Sequence, residues 1–228
     1  MAKRKRLDVS EQKAEPTRKY PRATRLGRAA VNVNKEDPNA GSKAPNDRSS
    51  DHDPDHGRTL RITEQTGDLF TAPDHTVLIH ACNCEGHWGK GIAAQFKKRY
   101  AAAFSTYKAR CENHDQADLR GTALLIPPAE EVSEGDRHLV GCLFTSLSKG
   151  RSKDKPAEIV RYTETAMKDL LRQISAYHES HESKIEQIWM CKINSGLFGV
   201  PWEDSKAALE RVEVPDGVPR DVVVMSKD

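Results

Sequence analysis

The stretch IHACNCEGHWGKGIA occupies residues 79–93, where an apolar run gives way to a loop with three glycines. Spaced apolar residues over 91–100 then predict an amphipathic helix. Glycines let the backbone approach a ligand closely, and the N-terminus of a helix favours an anion. The glycine order matches neither the GxGxxG nucleotide-binding loop nor a P-loop. The stretch therefore predicts a strand, an anion-binding loop and a helix, in that order.

A second stretch, NSGLFGVPW at residues 194–202, repeats this design after the apolar run at 185–193. Pro201 marks a natural helix start. In α/β sheets, ligands bind beyond the carboxyl ends of the strands, where such loops lie. Two glycine loops side by side would form a cradle for a diphosphate, with Phe198 stacked on a sugar or covering it.

A third stretch, TGDLF at residues 66–70, follows the first apolar run. The carboxylate of Asp68 can accept a hydrogen bond from an amine, such as the exocyclic group of adenine. Gly-Asp after a strand is also ordinary turn chemistry, so this stretch alone decides nothing.

The remaining pattern alternates short apolar runs with amphipathic segments, which favours an α/β sandwich with a largely buried sheet. Strands are predicted at 60–65, 76–82, 121–126, 138–145, 185–193 and 221–225. Helices are predicted at 91–100, 102–111, 158–175 and 202–212. The segment 146–155 is basic, and we interpret it as a solvated loop rather than a contact for a phosphate-rich substrate.

The N-terminal segment 1–57 lacks apolar periodicity and predicts a disordered basic and polar tail, with the folded domain at 58–228. The tail holds 13 of the chain's 36 basic residues and 9 of its 34 acidic ones, so its net charge is +4 and that of the remainder is −2. This near-neutral remainder gives no reason to expect a nucleic-acid partner. The cluster Lys3, Arg4, Lys5 and Arg6 has two open interpretations, a nuclear localisation signal and a solvated tail.

The cysteine pattern predicts free thiols in a reducing, intracellular location, in the cytoplasm, the nucleus or both. Cys82-Asn83-Cys84 is not a CxxC pair and no other cluster has zinc spacing, so we expect no metal and no cofactor. Cys82, Cys84 and Cys191 are interpreted as small buried hydrophobes. No stretch reaches the length of a membrane span, and a monomer without a membrane partner is expected.

Taken together, TGDLF, IHACN…WGKGIA and INSGLFGVPW resemble the macrodomain family, which binds ADP-ribose. The order and spacing of all three motifs match over residues 60–225. Within the family they are most similar to a fungal branch that removes phosphate from ADP-ribose 1″-phosphate, a by-product of tRNA splicing. The resemblance implies a three-layer α/β/α fold with a mixed sheet of about six strands.

The resemblance also implies a set of site residues. Asp68 would hold the adenine amine, Asn83 would lie against the distal ribose, and His80 resembles the phosphatase branch. Phe198 stands where the branch that cleaves ADP-ribose from glutamate has a catalytic aspartate, which argues against that chemistry. The other residues implied to bind the substrate are Leu69, Gly89, Lys90, Gly91, Ile92, Asn194, Ser195, Gly196, Leu197, Phe198 and Gly199.

These residues favour a metal-independent phosphatase acting on a small molecule, ADP-ribose 1″-phosphate. His80 and Asn83 would position water and assist departure of the ribose oxygen, since a histidine at a strand end near the distal phosphate can donate a proton. A buried, hydrogen-bonded histidine is the alternative interpretation of His80, and His87 is a weaker catalytic candidate on an exposed loop. Two other functions stay open: a module that only binds ADP-ribose, and a hydrolase of ADP-ribosylated proteins.

Overall fold

The computed structural model describes residues 58–128 and 138–227. The predicted disordered tail and the basic cluster near the N-terminus lie outside the described residues. Across the described part, no helix is both long enough and apolar enough to cross a membrane.

Within the described residues, six strands form one mixed sheet in the order β1-β6-β5-β2-β4-β3. All neighbouring strands are parallel except β3, which runs antiparallel to β4. The carboxyl ends of the five parallel strands therefore meet at one edge of the sheet. The strands are β1 (Arg61–Thr66), β2 (Thr76–Asn83), β3 (Ala123–Ile126), β4 (Leu139–Ser146), β5 (Gln187–Cys191) and β6 (Asp221–Ser226).

Helices cover both faces of this sheet. On one face α4 packs against β3, β4 and α5, and on the other α1 and α2 pack against β2 and β3. The predicted three-layer α/β/α architecture is confirmed. The helices are α1 (Gly91–Arg99), α2 (Ala101–Glu112), α3 (Gln116–Leu119), α4 (Pro156–Ser180) and α5 (Trp202–Glu210).

Strand β2 supplies both hydrophobic cores, because successive side chains of a strand point to opposite faces. Val77 and Ile79 pack in the core beneath α4 and α5. Leu78 and Cys82 pack in the core beneath α1 and α2. Burial on both faces explains why the sequence of β2 is a nearly continuous apolar run.

The bounds of several elements differ from the sequence-based prediction. Strand β5 is shorter than 185–193, since the Ile185 amide donates to Nε2 of His178 on α4 at 2.9 Å instead of joining the sheet. Helix α4 begins earlier, with Pro156 at its first position and the Glu158 carboxylate accepting from the Lys155 amide at 3.3 Å. Helix α3 has four residues, too few to produce a periodic pattern.

The outer edge of β3 is covered by side chains of α4. The Ala123 amide donates to Oδ2 of Asp169 at 2.8 Å, and the Leu125 amide donates to Oε1 of Gln173 at 2.8 Å. Nε2 of Gln173 returns a hydrogen bond to the Ala123 carbonyl at 2.9 Å. These contacts replace the partner strand that an edge lacks and protect the edge from pairing with another chain.

Replacement of Gln173 by alanine should therefore lower the free energy of unfolding by about 1–2 kcal/mol, since two backbone groups of β3 lose their partner. Denaturant unfolding measures this effect. Replacement of the exposed Glu179 on the same helix is the matched control and should change stability far less. Equal decreases in the free energy of unfolding of the two variants would show that Gln173 does not stabilise the edge of β3.

Candidate functional site

The two glycine loops lie beside one another at the carboxyl edge of the sheet. The first loop (residues 84–90) follows β2, the second loop (residues 192–201) follows β5, and these strands are neighbours. A Cβ atom placed on Gly91 would lie 3.9 Å from Cδ1 of Leu197. The structure thus brings together the two segments that the sequence analysis assigned to a diphosphate.

The first loop ends at a helix N-terminus that faces solvent. Gly89, Lys90 and Gly91 are exposed, while Ile92 is half-buried against the core. Gly91 has a φ of +58°, a conformation that strains any residue with a Cβ. Lys90 does not cap α1 with its side chain, so the first amide groups of the helix can serve an anion.

Asn83 holds the first loop in shape. The β2–β4 register shifts between Cys82 and Asn83, a bulge of the kind that re-aims a side chain. Oδ1 of Asn83 accepts from the Glu85 amide at 2.9 Å and the His87 amide at 3.4 Å, and Nδ2 donates to the His87 carbonyl at 2.8 Å. The amide of Asn83 is 6% exposed and bonds the loop itself, and its expected place against the distal ribose stays a prediction.

Tyr107 of α2 supports the same loop from below. Its hydroxyl donates to the Asn83 carbonyl at 2.7 Å and accepts from the His87 amide at 3.1 Å. The role of Tyr107 is not evident from the sequence, because a tyrosine inside an amphipathic helix has the pattern of an ordinary core residue.

Asn194 fixes the second loop in the same way. Its Nδ2 donates to Thr163 Oγ1 at 2.8 Å and Ser205 Oγ at 3.1 Å, and its Oδ1 accepts from Thr145 Oγ1 at 3.0 Å. The residue is 4% exposed and has a φ of +63°. The Asn194 side chain, expected to bind substrate, instead joins the ends of β4, α4 and α5 beneath the loop.

The tip of the second loop, residues 195–199, faces solvent. Ser195, Gly196 and Gly199 are exposed, Phe198 is half-buried, and Leu197 is 63% exposed. Leu197 is a large apolar side chain held next to the first loop, a suitable position to cover a bound sugar or base. The half-buried ring of Phe198 keeps some accessible surface, and its stacking on a sugar stays a prediction.

Half of the basic segment 146–155 is exposed, as expected of a solvated loop, and hydrogen bonds hold the segment in place. Nζ of Lys153 donates to the Leu197 carbonyl at 3.1 Å, and Nζ of Lys149 donates to the Glu85 carboxylate at 2.6 Å. Asp154 fixes the segment by accepting from the Leu147 amide at 2.8 Å. The segment therefore connects the first loop to the second.

The segment at 66–70 approaches the same site from the side of α1. The Asp68 carboxylate accepts from the Phe70 amide at 3.1 Å, and this bond, with the nearby Lys227 ammonium, lowers the pKa of Asp68. Asp68 is half-buried and ionised, so it can accept a further hydrogen bond. Leu69 is 3% exposed and packs in the core, and its expected place lining a ligand site stays a prediction.

His80 lies inside the protein, contrary to its expected position at the end of a strand. Strand β2 continues to Asn83, and the imidazole of His80 is 0% exposed. Its ring centroid lies 4.2 Å from that of Phe96 and 4.6 Å from that of Trp88. A side chain with no exposed surface cannot contact a bound phosphate, so the structure does not support the predicted catalytic role.

His87 is the exposed histidine of the first loop. Its Nδ1 lies 2.7 Å from the Glu85 carbonyl, and because a carbonyl only accepts, Nδ1 must carry the proton. Nε2 is then the nitrogen that can accept a proton in the neutral ring. The sequence analysis ranked His87 below His80, and the structure reverses their accessibility.

The comparisons with known proteins agree with this architecture. A family model described as Macro domain matches residues 79–209. The chain belongs to the macrodomain family. A protein of Chaetomium globosum named ADP-ribose 1″-phosphate phosphatase is 49% identical over 161 residues, which cover 69% of this chain and 87% of the relative. One of the same name from Neosartorya fischeri is 45% identical over 178 residues, covering 66% of this chain and 89% of the relative.

Solved macrodomain structures share the fold. The macrodomain of Mycobacterium tuberculosis DarG has a TM-score of 0.53 and 24% identity, covering 74% of this chain and 99% of that one. Thermosipho africanus DarTG in complex with ADP-ribose has a TM-score of 0.53 and 16% identity, covering 74% of this chain and 42% of that one. At these identities the comparison supports the fold alone.

Replacement of Asn194 by alanine should lower the free energy of unfolding by about 3 kcal/mol, because buried hydroxyls lose their amide partner. Replacement by glycine loses the same bonds but relieves the positive φ, so it should be less harmful by about 1 kcal/mol. Denaturant unfolding of both variants separates the two effects. Equal stability of the alanine and glycine variants would show that the backbone is not strained.

Because of Glu64 on β1, the free energy of unfolding should decrease as the pH becomes acidic. The Trp202 indole and the ammonium groups of Lys206 and Lys192 lower its pKa from 4.5 to about 2. The ionised form is favoured in the folded state, so this stabilisation is present above pH 4.5 and declines as the pH falls toward 2. The unfolding free energies of wild type and Glu64→Gln should therefore differ more at pH 7 than at about pH 3. If the difference in unfolding free energy between the two proteins did not change with pH, Glu64 would not be the group that makes stability depend on pH.

Proposed function

We propose that this chain hydrolyses the phosphomonoester of ADP-ribose 1″-phosphate. The observation that carries the proposal is the adjacency of two glycine loops at one edge of the sheet, one leading into the N-terminus of α1 and the other exposing Leu197 beside it. The fungal relatives named for this activity support the choice of substrate.

The loops would hold the diphosphate of the substrate. Gly91 at the start of α1 is exposed, as are Gly196 and Leu197 of the second loop, and backbone N–H groups in such loops bind phosphate oxygens. Lys90 adds an exposed ammonium group at the same point. Asp68 would accept the hydrogen bond of the adenine amine, as the sequence analysis expects.

In the reaction, a water oxygen would bond to phosphorus as the bond from phosphorus to the anomeric oxygen of the ribose breaks. One proton leaves the water and one is taken up by the departing oxygen, giving inorganic phosphate and ADP-ribose. His87 is positioned on the first loop to accept or return that proton through Nε2. Asn83 contributes by holding the loop, and backbone amides offset the charge that develops on the phosphoryl oxygens.

Two other functions use the same cradle. A module that only binds ADP-ribose needs the loops but no group that transfers a proton. For a hydrolase of ADP-ribosylated proteins, the family resemblance implies that the branch acting on glutamate has a catalytic aspartate at the place that Phe198 occupies. These alternatives are outcomes of the experiment below.

Purified protein should release phosphate from ADP-ribose 1″-phosphate over many turnovers, in the presence of EDTA, and should bind ADP-ribose in calorimetry. Phosphate release is followed with a colorimetric assay. Binding without release would replace the proposal with the binding module. Release of ADP-ribose from a modified protein, with the phosphate ester left intact, would favour the protein hydrolase.

Replacement of His87 by glutamine should lower kcat by about 100-fold, since general acid–base groups contribute on this order. The affinity for ADP-ribose should change little, because the backbone amides of the loops remain. His114→Gln is the matched control: His114 is also exposed and also places Nδ1 near a backbone carbonyl, that of Arg110 at 3.0 Å. An unchanged kcat in His87→Gln would show that His87 does not transfer a proton in the reaction.

A further inference from the structure

Three potential metal ligands meet in the core beneath α1 and α2, away from the ligand loops. His80 and Cys142 are direct partners in the parallel pairing of β2 with β4, and Cys82 lies two residues further along β2 on the same face. All three side chains are buried, and their ligand atoms lie within 4.8 Å of one another. The fold assembles this cluster from positions 60 residues apart in the sequence.

The imidazole of His80 is unusual because the polar contacts of its ring are to sulfur. Nδ1 and Nε2 lie 3.7 and 3.6 Å from Sγ of Cys82, and aromatic rings of Phe96 and Trp88 cover the rest of the ring. A thiol is a weak hydrogen-bond partner, and a buried polar group without a strong partner is costly. A metal ion would satisfy the imidazole and both thiols together.

We propose that His80, Cys82 and Cys142 form a binding site for one soft, thiophilic metal ion with a filled d shell, of the Zn²⁺ or Cu⁺ class. Thiolate and imidazole are the ligands that such ions select. Among the histidine, cysteine, aspartate and glutamate side chains of the described residues, these three form the group that lies close enough together to share one ion. The proposal does not rest on the phosphatase function.

A disulfide between the two cysteines does not fit the same positions. Cys82 is offset by two residues from the position opposite Cys142 on the neighbouring strand. Strand spacing and rise then put the two Cα atoms roughly 8 Å apart, beyond the reach of an unstrained disulfide. An ion between the sulfur atoms spans this distance without moving either strand.

Charge and coordination number distinguish the two ions. Binding converts both thiols to thiolates and releases two protons to solvent, so a divalent ion leaves the buried site neutral. With Cu⁺ the site keeps one negative charge, but three ligands suit its low coordination number better than that of zinc, which usually takes four.

The ion would join β2 to β4 from inside, one residue before Asn83 and the first loop. Such an ion would stabilise the fold and the base of the loop without touching the substrate. The three residues were expected to be a catalytic histidine and free thiols, and only the β2–β4 register shows that they share one place.

The test uses full-length protein without a histidine tag, expressed separately in Zn²⁺-supplemented and Cu-supplemented medium and purified with reductant but without chelator. Metal content is measured by mass spectrometry, with about one ion per chain expected in at least one medium. Cys82→Ala and Cys142→Ala should each lower metal retention by at least about tenfold, whereas Cys111→Ala and Cys191→Ala should retain it. Loading in zinc medium alone assigns Zn²⁺, and loading in copper medium alone assigns Cu⁺.

Two results would overturn the site: substoichiometric metal in wild type from both media, or equal metal content in the cluster and control variants. If a core cysteine variant does not fold, the metal content of the wild-type protein still tests the proposal. X-ray absorption at the metal edge of loaded wild type should show two sulfur neighbours and one nitrogen neighbour. A shell of oxygen and nitrogen without sulfur would equally exclude the proposal.

Discussion

The burial of β2 on both faces is the constraint on which the rest of the structure depends. This strand pairs with β4 on one side and β5 on the other, and its alternate side chains complete the two cores. Its position fixes where the first loop begins and places the second loop beside it through β5. The same burial turns His80 inward, so the strand that builds the site also removes this histidine from it.

Two buried asparagines perform the same task in the two loops. Asn83 ends β2 and bonds the backbone of the first loop, while Asn194 lies beneath the second loop and bonds hydroxyl groups of β4, α4 and α5. An amide both donates and accepts, so one side chain can satisfy several buried groups that a turn leaves unpaired. Both loops are therefore shaped by the protein before any ligand binds, which lowers the entropy lost on binding.

The sequence predicted the fold well because the motifs lie at strand ends and each describes local chemistry. Gly91 and Gly199 were recognised as loop residues, and both have a positive φ in the structure. The roles of His80, Asn194 and Lys153 depend on partners distant in the chain, which a single sequence does not reveal. Intracellular location, monomeric state and the disordered tail remain predictions from the sequence.

The pairing of lysine side chains with carboxylates indicates that the site recognises its ligand more by the geometry of its backbone groups than by net charge. Lys149 is paired with Glu85, and Lys192 and Lys206 are paired with Glu64, so these cations hold structure in place. The ammonium group of Lys153 is likewise bonded to the Leu197 carbonyl. An anion entering the cradle then meets mainly oriented amide groups, whose positions are fixed by β2 and β5. Such fixed dipoles need no rearrangement as charge develops on a phosphoryl group, which is the property that a phosphate-transferring site requires.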